Sequence, residues 1–411
     1  MITAKKAANP VKSNLKTGLA LAGGGPLGGF YELGAICALK DSINALNLND
    51  LEVYVGVSSG SFLVSALANG ISTEEIADIF AFNHKTQTPF NPDNFLRPAY
   101  KLFLSKAADI PFVAYDALFS WLQKPFNTSI VDILERFGSI LPNGAFNNSS
   151  LEKFIRSVLS SKHSSNDFRK LKKKLFIVAC EIDTGKIATF STEENSDVPI
   201  SKAVQASSAL PGLYAPVNIK GKFYVDGALR RTMNASAALD QGVQLLFAVN
   251  PIVPFESEQI LDEKSKLLKA GLPMILSQTF RSIIQSRLKS GLDKYTAHYP
   301  KADIILVEPN NDDEMLFNTN LFSYSNRDKL CEYAYQQTRK QIQEKLDDIQ
   351  IILRRHNFSI NKTNLFAKNR QLKDFLKQEK FGKSRVKRRL EETLNKLERV
   401  LPRSRVQESK S

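Results

Sequence analysis

Two apolar segments near the start of the chain each lead into a glycine-containing turn and then into a helix-compatible stretch. The first, Thr17-Gly-Leu-Ala-Leu-Ala22, precedes a run of glycines and a helix expected over about 30–46. The second, Glu52-Val-Tyr-Val-Gly56, precedes a short turn and the apolar run 61–68. Strands that alternate with helices in this way predict a mostly parallel sheet covered by helices. We therefore expect an α/β protein.

Three later apolar runs predict further buried strands of the same sheet. They are Lys174–Cys180, Leu245–Asn250 and Asp303–Val307. Helical patterns lie near them, at Lys264–Leu292 and Asn326–Arg354. The expected architecture is a three-layer α/β/α fold.

The segment between Phe90 and Phe126 interrupts this alternation of strands and helices. It carries 9 aromatic residues in 37 positions, which indicates a helical cap insertion that we assign to 85–150. Packing of these aromatic side chains against the core is the ordinary explanation, and a lid over a substrate is the alternative.

The composition is that of a globular chain rather than a disordered or membrane-spanning one. Of the 411 residues, 43% are hydrophobic and 24% are charged. The chain has no run of about 18 apolar residues, and no apolar signal region follows its first lysines. Cys37, Cys180 and Cys331 are widely spaced, which favours buried thiols in a reducing compartment over metal ligands. We expect a cytoplasmic protein.

A G-x-S-x-G pentapeptide, Gly56-Val57-Ser58-Ser59-Gly60, lies at the junction between the second strand and its helix. In a nucleophile elbow, small residues at the two ends let strand and helix approach closely, and the serine hydroxyl lies near the helix N-terminus. The pentapeptide alone is weak evidence, but its strand–turn–helix setting is the one that an elbow requires. Ser58 is the candidate nucleophile.

The first strand ends in the loop Gly23-Gly24-Gly25-Pro26-Leu27-Gly28-Gly29. Backbone N–H groups in such a loop can stabilise the negative charge that develops on a carbonyl oxygen during acyl transfer. The candidate oxyanion hole consists of Gly23, Gly24, Gly25 and Gly28.

The same loop also satisfies the dinucleotide fingerprint G-x-G-x-x-G through Gly23, Gly25 and Gly28. A dinucleotide site should have an acidic residue at the end of the second strand, which here runs into Ser58 instead. A P-loop fits less well, because no Gly-Lys-Ser/Thr follows.

The segment Phe223-Tyr-Val-Asp226-Gly227-Ala228 places an aspartate at the end of a short strand. A serine nucleophile needs a base within hydrogen-bond reach, and a positioned carboxylate can fill that role. Asp-Gly is also a common turn signal, which is the alternative explanation. Asp226 is the candidate base.

Taken in this order, the motifs resemble the patatin-like phospholipases. The resemblance spans about 17–239 and rests on Gly23–Gly28, Gly56–Gly60, Ala206-Ser-Ser-Ala-Leu-Pro-Gly212 and Asp226-Gly227-Ala228. It implies a lipid acyl hydrolase with a Ser58–Asp226 dyad, an oxyanion hole in the glycine loop, and no catalytic histidine, metal or cofactor. The implied substrate is an acyl ester of a phospholipid or another lipid. One position departs from the pattern, because Leu27 stands where the family often has Arg or Lys, which puts head-group preference in doubt.

A conventional triad is the competing arrangement. The chain has four histidines: His84, His163, His298 and His356. In the order serine, acid, histidine, only His298 and His356 follow Asp226. The dyad predicts that none of the four is required for catalysis.

The net charge of +14 is concentrated at the end of the chain. Residues 366–411 contain 15 Lys and Arg against 6 Asp and Glu, and Val386–Leu401 has the spacing of a weak amphipathic helix. Such a segment can bind anionic head groups, so we expect peripheral contact with anionic membranes. A solvated tail is the alternative. Nucleic acid is not expected as a partner, because stacking aromatic residues are sparse there.

The expected organisation is an N-terminal extension at 1–16, a catalytic domain at 17–240, its α/β continuation at 241–356 and a basic tail at 357–411. Two alternatives to the hydrolase remain open. One is a non-catalytic lipid-binding protein with the same fold. The other is a dinucleotide-dependent oxidoreductase that uses the Gly23–Gly28 loop.

Overall fold

Short strands form the framework of the protein. The computed structural model describes residues 1–8, 15–82, 144–146, 148–161, 164–254, 272–311 and 326–378. The strands in these ranges are β1 (Ile2–Lys5), β2 (Thr17–Leu21), β3 (Ile43–Asn44), β4 (Val53–Val57), β5 (Gly144–Phe146), β6 (Lys174–Glu181), β7 (Ile187–Phe190), β8 (Gly212–Tyr214), β9 (Val217–Ile219), β10 (Lys222–Asp226), β11 (Leu245–Val249), β12 (Asp303–Val307) and β13 (Ser359–Ile360).

Helices connect these strands. Within the described ranges they are α1 (Gly25–Ser42), α2 (Ser59–Ala68), α3 (Thr73–Ala77), α4 (Ser149–Leu159), α5 (Ile200–Ser207), α6 (Ser236–Leu239), α7 (Leu272–His298), α8 (Arg327–Glu344), α9 (Leu346–Arg355) and α10 (Lys362–Leu365). A π-helical turn at Asp78–Phe82 continues α3, and 3-10 turns lie at Phe168–Lys170 and Gly227–Leu229. No helix in the described part of the chain combines the length and the apolar character needed to span a membrane.

Most of the described strands belong to one sheet. Its order is β1-β12-β11-β2-β4-β6-β10-β9, with β7 also paired to β6. The strands from β12 to β6 are parallel, whereas β1, β7, β9 and β10 are antiparallel to their neighbours. The five parallel strands are those that the apolar runs predicted. The mostly parallel central sheet is thus confirmed.

Helices cover both faces of this sheet. Leu19 and Leu21 of β2 point into a core that they share with α1, α2 and α8. Ala20 and Ala22 point into a second core on the other face, which includes residues of α6 and α7. This alternation is the two-residue period of a strand buried on both sides. The three-layer α/β/α architecture is confirmed.

Several helix boundaries differ from the predictions, and α7, for example, ends at His298 rather than at Leu292. α1 begins at Gly25 rather than near residue 30, because Pro26 fits the first turn of a helix, where its missing N–H is not needed. The helical pattern at Asn326–Arg354 forms two helices, which are separated at Lys345 with a φ of −113°.

The chain continues in the fold beyond residue 357. β13 pairs with β3, and Arg370 forms an ion pair with the buried carboxylate of Asp41. Five apolar side chains of this stretch are buried in the main core: Ile360, Leu365, Leu372, Phe375 and Leu376. Residues 359–376, which we assigned to the basic tail from their charge, therefore pack against the α/β body. The predicted cap residues 85–143 and the segment Val386–Leu401 lie outside the described residues.

Candidate active site

The ends of two strands meet on one edge of β6. β4 pairs with β6 up to Val57, which lies opposite Val178. β10 arrives from the opposite direction and pairs with the next part of β6, where Asp226 lies opposite Ala179. β7 occupies the other edge of β6. The ends of β4 and β10 therefore face each other, and Ser58 follows directly at this junction.

Ser58 occupies the sharp turn between β4 and α2. Its φ of 50° and ψ of −122° are a conformation that side-chain-bearing residues rarely adopt. A Cβ at Gly60 would lie 2.6 Å from the carbonyl oxygen of Leu21, and one at Gly56 would lie 2.4 Å from Cγ2 of Val64. Strained residues persist only where the surroundings fix them. Here, the close strand–helix contact that the two glycines permit fixes the turn.

The carboxyl group of Asp226 lies beside Ser58, whose hydroxyl lowers the pKa of that carboxyl group. Both residues are nearly enclosed, with 6% of Ser58 and 3% of Asp226 exposed. The N–H of Ala228 donates to Oδ1 of Asp226 at 2.9 Å. Burial raises the pKa of Asp226 to about 6, and the neighbouring Ser58 hydroxyl and the N–H of Ala228 limit that rise. A carboxylate of this kind can accept a proton from the hydroxyl that it contacts.

The segment Ser207–Ala209 holds both residues in place. The Ser207 hydroxyl accepts a hydrogen bond from the N–H of Ser58 at 2.8 Å and donates to the carbonyl oxygen of Val178 at 2.6 Å. The N–H of Asp226 donates to the carbonyl oxygen of Ala209 at 2.9 Å. One segment thus fixes the backbone of the candidate nucleophile and of its candidate base.

The glycines of two motifs pack around Ser58. A Cβ at Gly23 would lie 2.8 Å from Cβ of Ser58 and 3.2 Å from Cβ of Ala228. A Cβ at Gly227 would lie 2.3 Å from the carbonyl oxygen of Val178. The glycine loop, the pentapeptide and the Asp-Gly segment are therefore in contact at one place in the fold.

The four glycines predicted for the oxyanion hole are not equivalent. Gly28 donates its N–H to the carbonyl oxygen of Gly24 at 2.9 Å. Within the described ranges, no acceptor engages the N–H groups of Gly24 and Gly25. Gly25 has a φ of 60°, which glycine adopts without strain. Pro251 packs against the loop, since a Cβ at Gly24 or Gly28 would lie 2.6 or 2.9 Å from its Cγ.

A second buried carboxyl, Glu32 of α1, lies behind the elbow. The hydroxyl of Ser59 donates to its Oε2 at 3.4 Å, and Oε1 has no partner among the described residues. Burial raises the pKa of Glu32 well above its usual range. Sequence reasoning missed both Glu32 and Ser207. The apolar pattern of α1 gives no signal for a buried carboxyl, and the pattern around Ser207 does not show which backbone group its hydroxyl reaches.

The two described histidines lie away from Ser58. His356 is buried and bonds through Nε2 to Asp303 at 2.7 Å. Asp303 begins β12, whereas Ser58 follows the end of β4, so His356 lies at the opposite end of the parallel strands. His298 is exposed at the end of α7, where its Nδ1 lies 2.9 Å from the carbonyl oxygen of Lys294. His84 and His163 lie outside the described residues. Neither described histidine is placed to act with Ser58.

Comparison with known proteins defines the family. The family model for patatin-like phospholipases matches residues 19–239, more than half of the chain. The protein therefore belongs to the patatin-like phospholipase family, as the resemblance predicted.

Individual relatives are distant. An uncharacterized protein of Acanthamoeba polyphaga mimivirus is 28% identical over 238 residues, which cover 56% of this chain and 65% of the viral protein. A probable lipid hydrolase of Invertebrate iridescent virus 6 is 24% identical over 212 residues, which cover 50% of this chain and 58% of the relative. The match thus spans less than two thirds of either relative.

Solved structures are similar at low sequence identity. VipD from Legionella pneumophila is 17% identical, with 84% of this chain and 70% of that chain covered and a TM-score of 0.39. The type III effector protein ExoU is 14% identical, with 92% and 64% covered and a TM-score of 0.35.

Proposed function

We propose that this protein hydrolyses acyl esters of lipids with a Ser58–Asp226 dyad. The observation that carries the proposal is that the ends of β4 and β10 bring the enclosed Ser58 hydroxyl beside the buried Asp226 carboxyl, whose pKa burial raises to about 6. Membership of the patatin-like phospholipase family supports a lipid ester as the substrate. The viral relative described as a probable lipid hydrolase supports it as well.

In the proposed reaction, Oγ of Ser58 attacks the ester carbonyl carbon while Asp226 takes the hydroxyl proton. The tetrahedral intermediate collapses, the C–O bond to the alcohol breaks, and the alcohol leaves with the proton from Asp226. Water then attacks the carbonyl carbon of the acyl-serine ester while Asp226 takes a proton from the water. The bond between that carbon and Oγ of Ser58 breaks, Asp226 returns the proton to Oγ, and the fatty acid is released. Each step uses only these two side chains, the ester and water.

The proposed oxyanion hole uses the N–H groups of Gly23, Gly24 and Gly25. Donors aimed at a developing negative charge stabilise the transition state most when they need no rearrangement. Because Gly28 already bonds to Gly24, we assign Gly28 the role of fixing the loop rather than of donating to the substrate.

The direct test of Ser58 uses a fluorophosphonate probe, which phosphonylates activated serines. We expect the full-length protein to be labelled and Ser58→Ala to lose both labelling and ester hydrolysis. Ser59→Ala is the matched control, because it removes the neighbouring hydroxyl while leaving the dyad in place. A folded protein that shows neither labelling nor hydrolysis would favour the non-catalytic lipid-binding alternative.

Ser207→Ala tests whether the second serine positions the first. The substitution removes the acceptor of the Ser58 N–H, and leaving a buried donor unpaired costs about 1–3 kcal/mol. We expect turnover to fall by roughly tenfold or more, because even a small displacement of a reacting group slows the reaction strongly. Ser65→Ala is the control, since its hydroxyl donates to a carbonyl inside α2 and accepts from no backbone N–H in the described residues. Equal turnover in the two variants would contradict a positioning role.

We also propose that the basic segment brings the enzyme to anionic membranes. Residues 379–411 contain 11 Lys and Arg against 5 Asp and Glu, which favours binding to anionic head groups. The preceding residues, which include Arg370 and Leu372, belong to the packed body. The proposal therefore concerns 379–411 rather than the whole of 357–411.

A further inference from the structure

A concave site lies next to the turn that follows Asp226. This pocket has a volume of about 470 Å³, within the range of small-molecule sites. Its walls are the segment 230–236 and the second half of α7, with Tyr299 beyond the helix. The N–H groups of Arg230 and Arg231 both donate to the carbonyl oxygen of Gly227. The pocket wall is thus continuous with the turn that carries the candidate base.

The walls of the pocket carry four permanent positive charges: Arg230, Arg231, Arg287 and Lys294. All four are exposed. No Asp or Glu lies among the described residues that line the pocket. Tyr299 at the far end is hydrogen-bonded to Asp240, which does not line the pocket.

The contacts of these arginines leave their charges uncompensated. Arg231 donates to Oδ1 of Asn234 at 3.0 Å and to Oγ of Ser236 at 2.6 Å. Arg287 donates to the carbonyl oxygen of Leu229. These acceptors are neutral, so they orient the guanidinium groups without neutralising them. Within the described part of the chain, none of the four cations forms an ion pair.

Several other exposed cations of the same protein are paired. Ion pairs join Lys6 to Asp348, Lys173 to Asp50, Lys174 to Glu193, Lys220 to Asp197 and Lys222 to Glu181. At the pocket, by contrast, four exposed cations without an ion pair to a described residue surround one concavity. Like charges held close together repel, and an anion bound between them would remove that repulsion.

We propose that this pocket binds the phosphate group of an anionic ligand. Arginine forks match phosphate oxygens in pairs, and lysine adds a compact charge. The phosphate can belong to a phospholipid head group or to a soluble phosphate ester, which share this chemistry. Hydrolysis is not needed for binding, so the inference stands or falls independently of the dyad.

The test compares Arg287→Gln/Lys294→Gln with Lys170→Gln/Lys172→Gln, in full-length protein that also carries Ser58→Ala so that lipid is not consumed. Lys170 and Lys172 are exposed and lie outside the pocket, so the control removes the same charge elsewhere. The probes are sn-glycerol 3-phosphate and vesicles of phosphatidylcholine with and without phosphatidic acid. The basic segment 379–411 is the same in every variant, so its contribution to vesicle binding cancels.

The protein without pocket substitutions is expected to bind at least one phosphate probe. The pocket variant should bind it roughly 30-fold more weakly, because each of the two removed charges contributes about fivefold to the affinity. The control variant should bind it as tightly as the protein without pocket substitutions. Arg287→Lys/Lys294→Arg should retain binding, which separates charge from misfolding. Loss of vesicle binding alone assigns the pocket to a head group, and loss of glycerol phosphate binding assigns it to a phosphate ester. The proposal is overturned if neither probe binds, or if the pocket variant binds both as tightly as the control variant.

Discussion

Asp226→Asn is expected to lower kcat for ester hydrolysis by about 10²–10⁴-fold with little change in KM. Asparagine keeps the size of the side chain and an oxygen that can accept from Ala228, but it cannot take the Ser58 proton. The measurement is steady-state hydrolysis of a soluble p-nitrophenyl ester. Asp183→Asn is the control, because it removes one carboxylate from the exposed turn after β6. If Asp226→Asn kept more than about a tenth of the kcat, another group would have to be the base.

The same carboxyl predicts a pH dependence of activity. Its pKa is about 6 in the folded protein, and the base must be ionised to accept a proton. We therefore expect kcat/KM to rise with pH and to reach half of its plateau near this value. The rising limb should be absent from the residual activity of Asp226→Asn.

Burial of Asp226 also links the dyad to stability. The folded pKa of about 6 lies above the ordinary value of 3.8, so the folded protein binds this proton more tightly than the unfolded chain does. The stabilisation that the protonated group contributes is complete below about pH 4 and is lost as the pH rises through 6. The difference corresponds to about 3 kcal/mol. Asp226→Asn should therefore unfold at a higher urea concentration than the wild type at pH 8, and this difference should close at pH 4.

Sequence alone placed the elements on which the candidate site is built. The sequence predicts β2 and β4 because each is an apolar run that ends in glycines. The same local pattern predicts that a turn and a helix follow each strand. The order of the motifs then indicated the family. Each of these features depends only on residues that are neighbours in the sequence, so a single segment of the chain is enough to predict it.

The juxtaposition of Ser58 and Asp226 is not local. It depends on β10 entering antiparallel to β6 and stopping at Ala179, one residue past the end of β4. No pattern inside β10 specifies that register, because it follows from the packing of its neighbours. Tertiary contacts likewise decide the role of Ser207 and the inclusion of residues 359–376 in the core.

Residues 359–376 were assigned to the basic tail because of their positive charge, but in the fold part of that charge takes part in contacts with the α/β body. Arg370 pairs with Asp41 of α1, and the apolar side chains of Leu372, Phe375 and Leu376 recur at helical spacing among lysines. Long basic side chains can cover apolar surface while their charged ends stay in water. A basic composition is therefore compatible with a packed helix wherever the apolar spacing persists.

Gly60→Ala is expected to lower the free energy of unfolding by about 3 kcal/mol or more, at the upper end of the cost of overpacking. The added Cβ would lie 2.6 Å from the carbonyl oxygen of Leu21 and 2.7 Å from that of Ala22. Both atoms belong to the backbone of the central sheet region, so neither can rotate away as a side chain would. α2 must move outward instead, and Ser58 at its N-terminus moves with it. The measurements are urea unfolding and fluorophosphonate labelling, and both should decline.

Gly291→Ala in α7 separates this contact from the general effect of replacing a glycine. Its nearest neighbour would be Cε2 of Tyr295 at 3.8 Å, an ordinary contact, and alanine favours a helix over glycine by about 1 kcal/mol. We therefore expect Gly291→Ala to be neutral or stabilising in the same unfolding assay. If Gly60→Ala matched it, β2 and α2 would not be in the tight contact that fixes the strained Ser58 turn. If Gly60→Ala lowers the free energy of unfolding while Gly291→Ala leaves it unchanged or raises it, the destabilisation comes from the tight contact at the elbow and not from placing alanine in a helix.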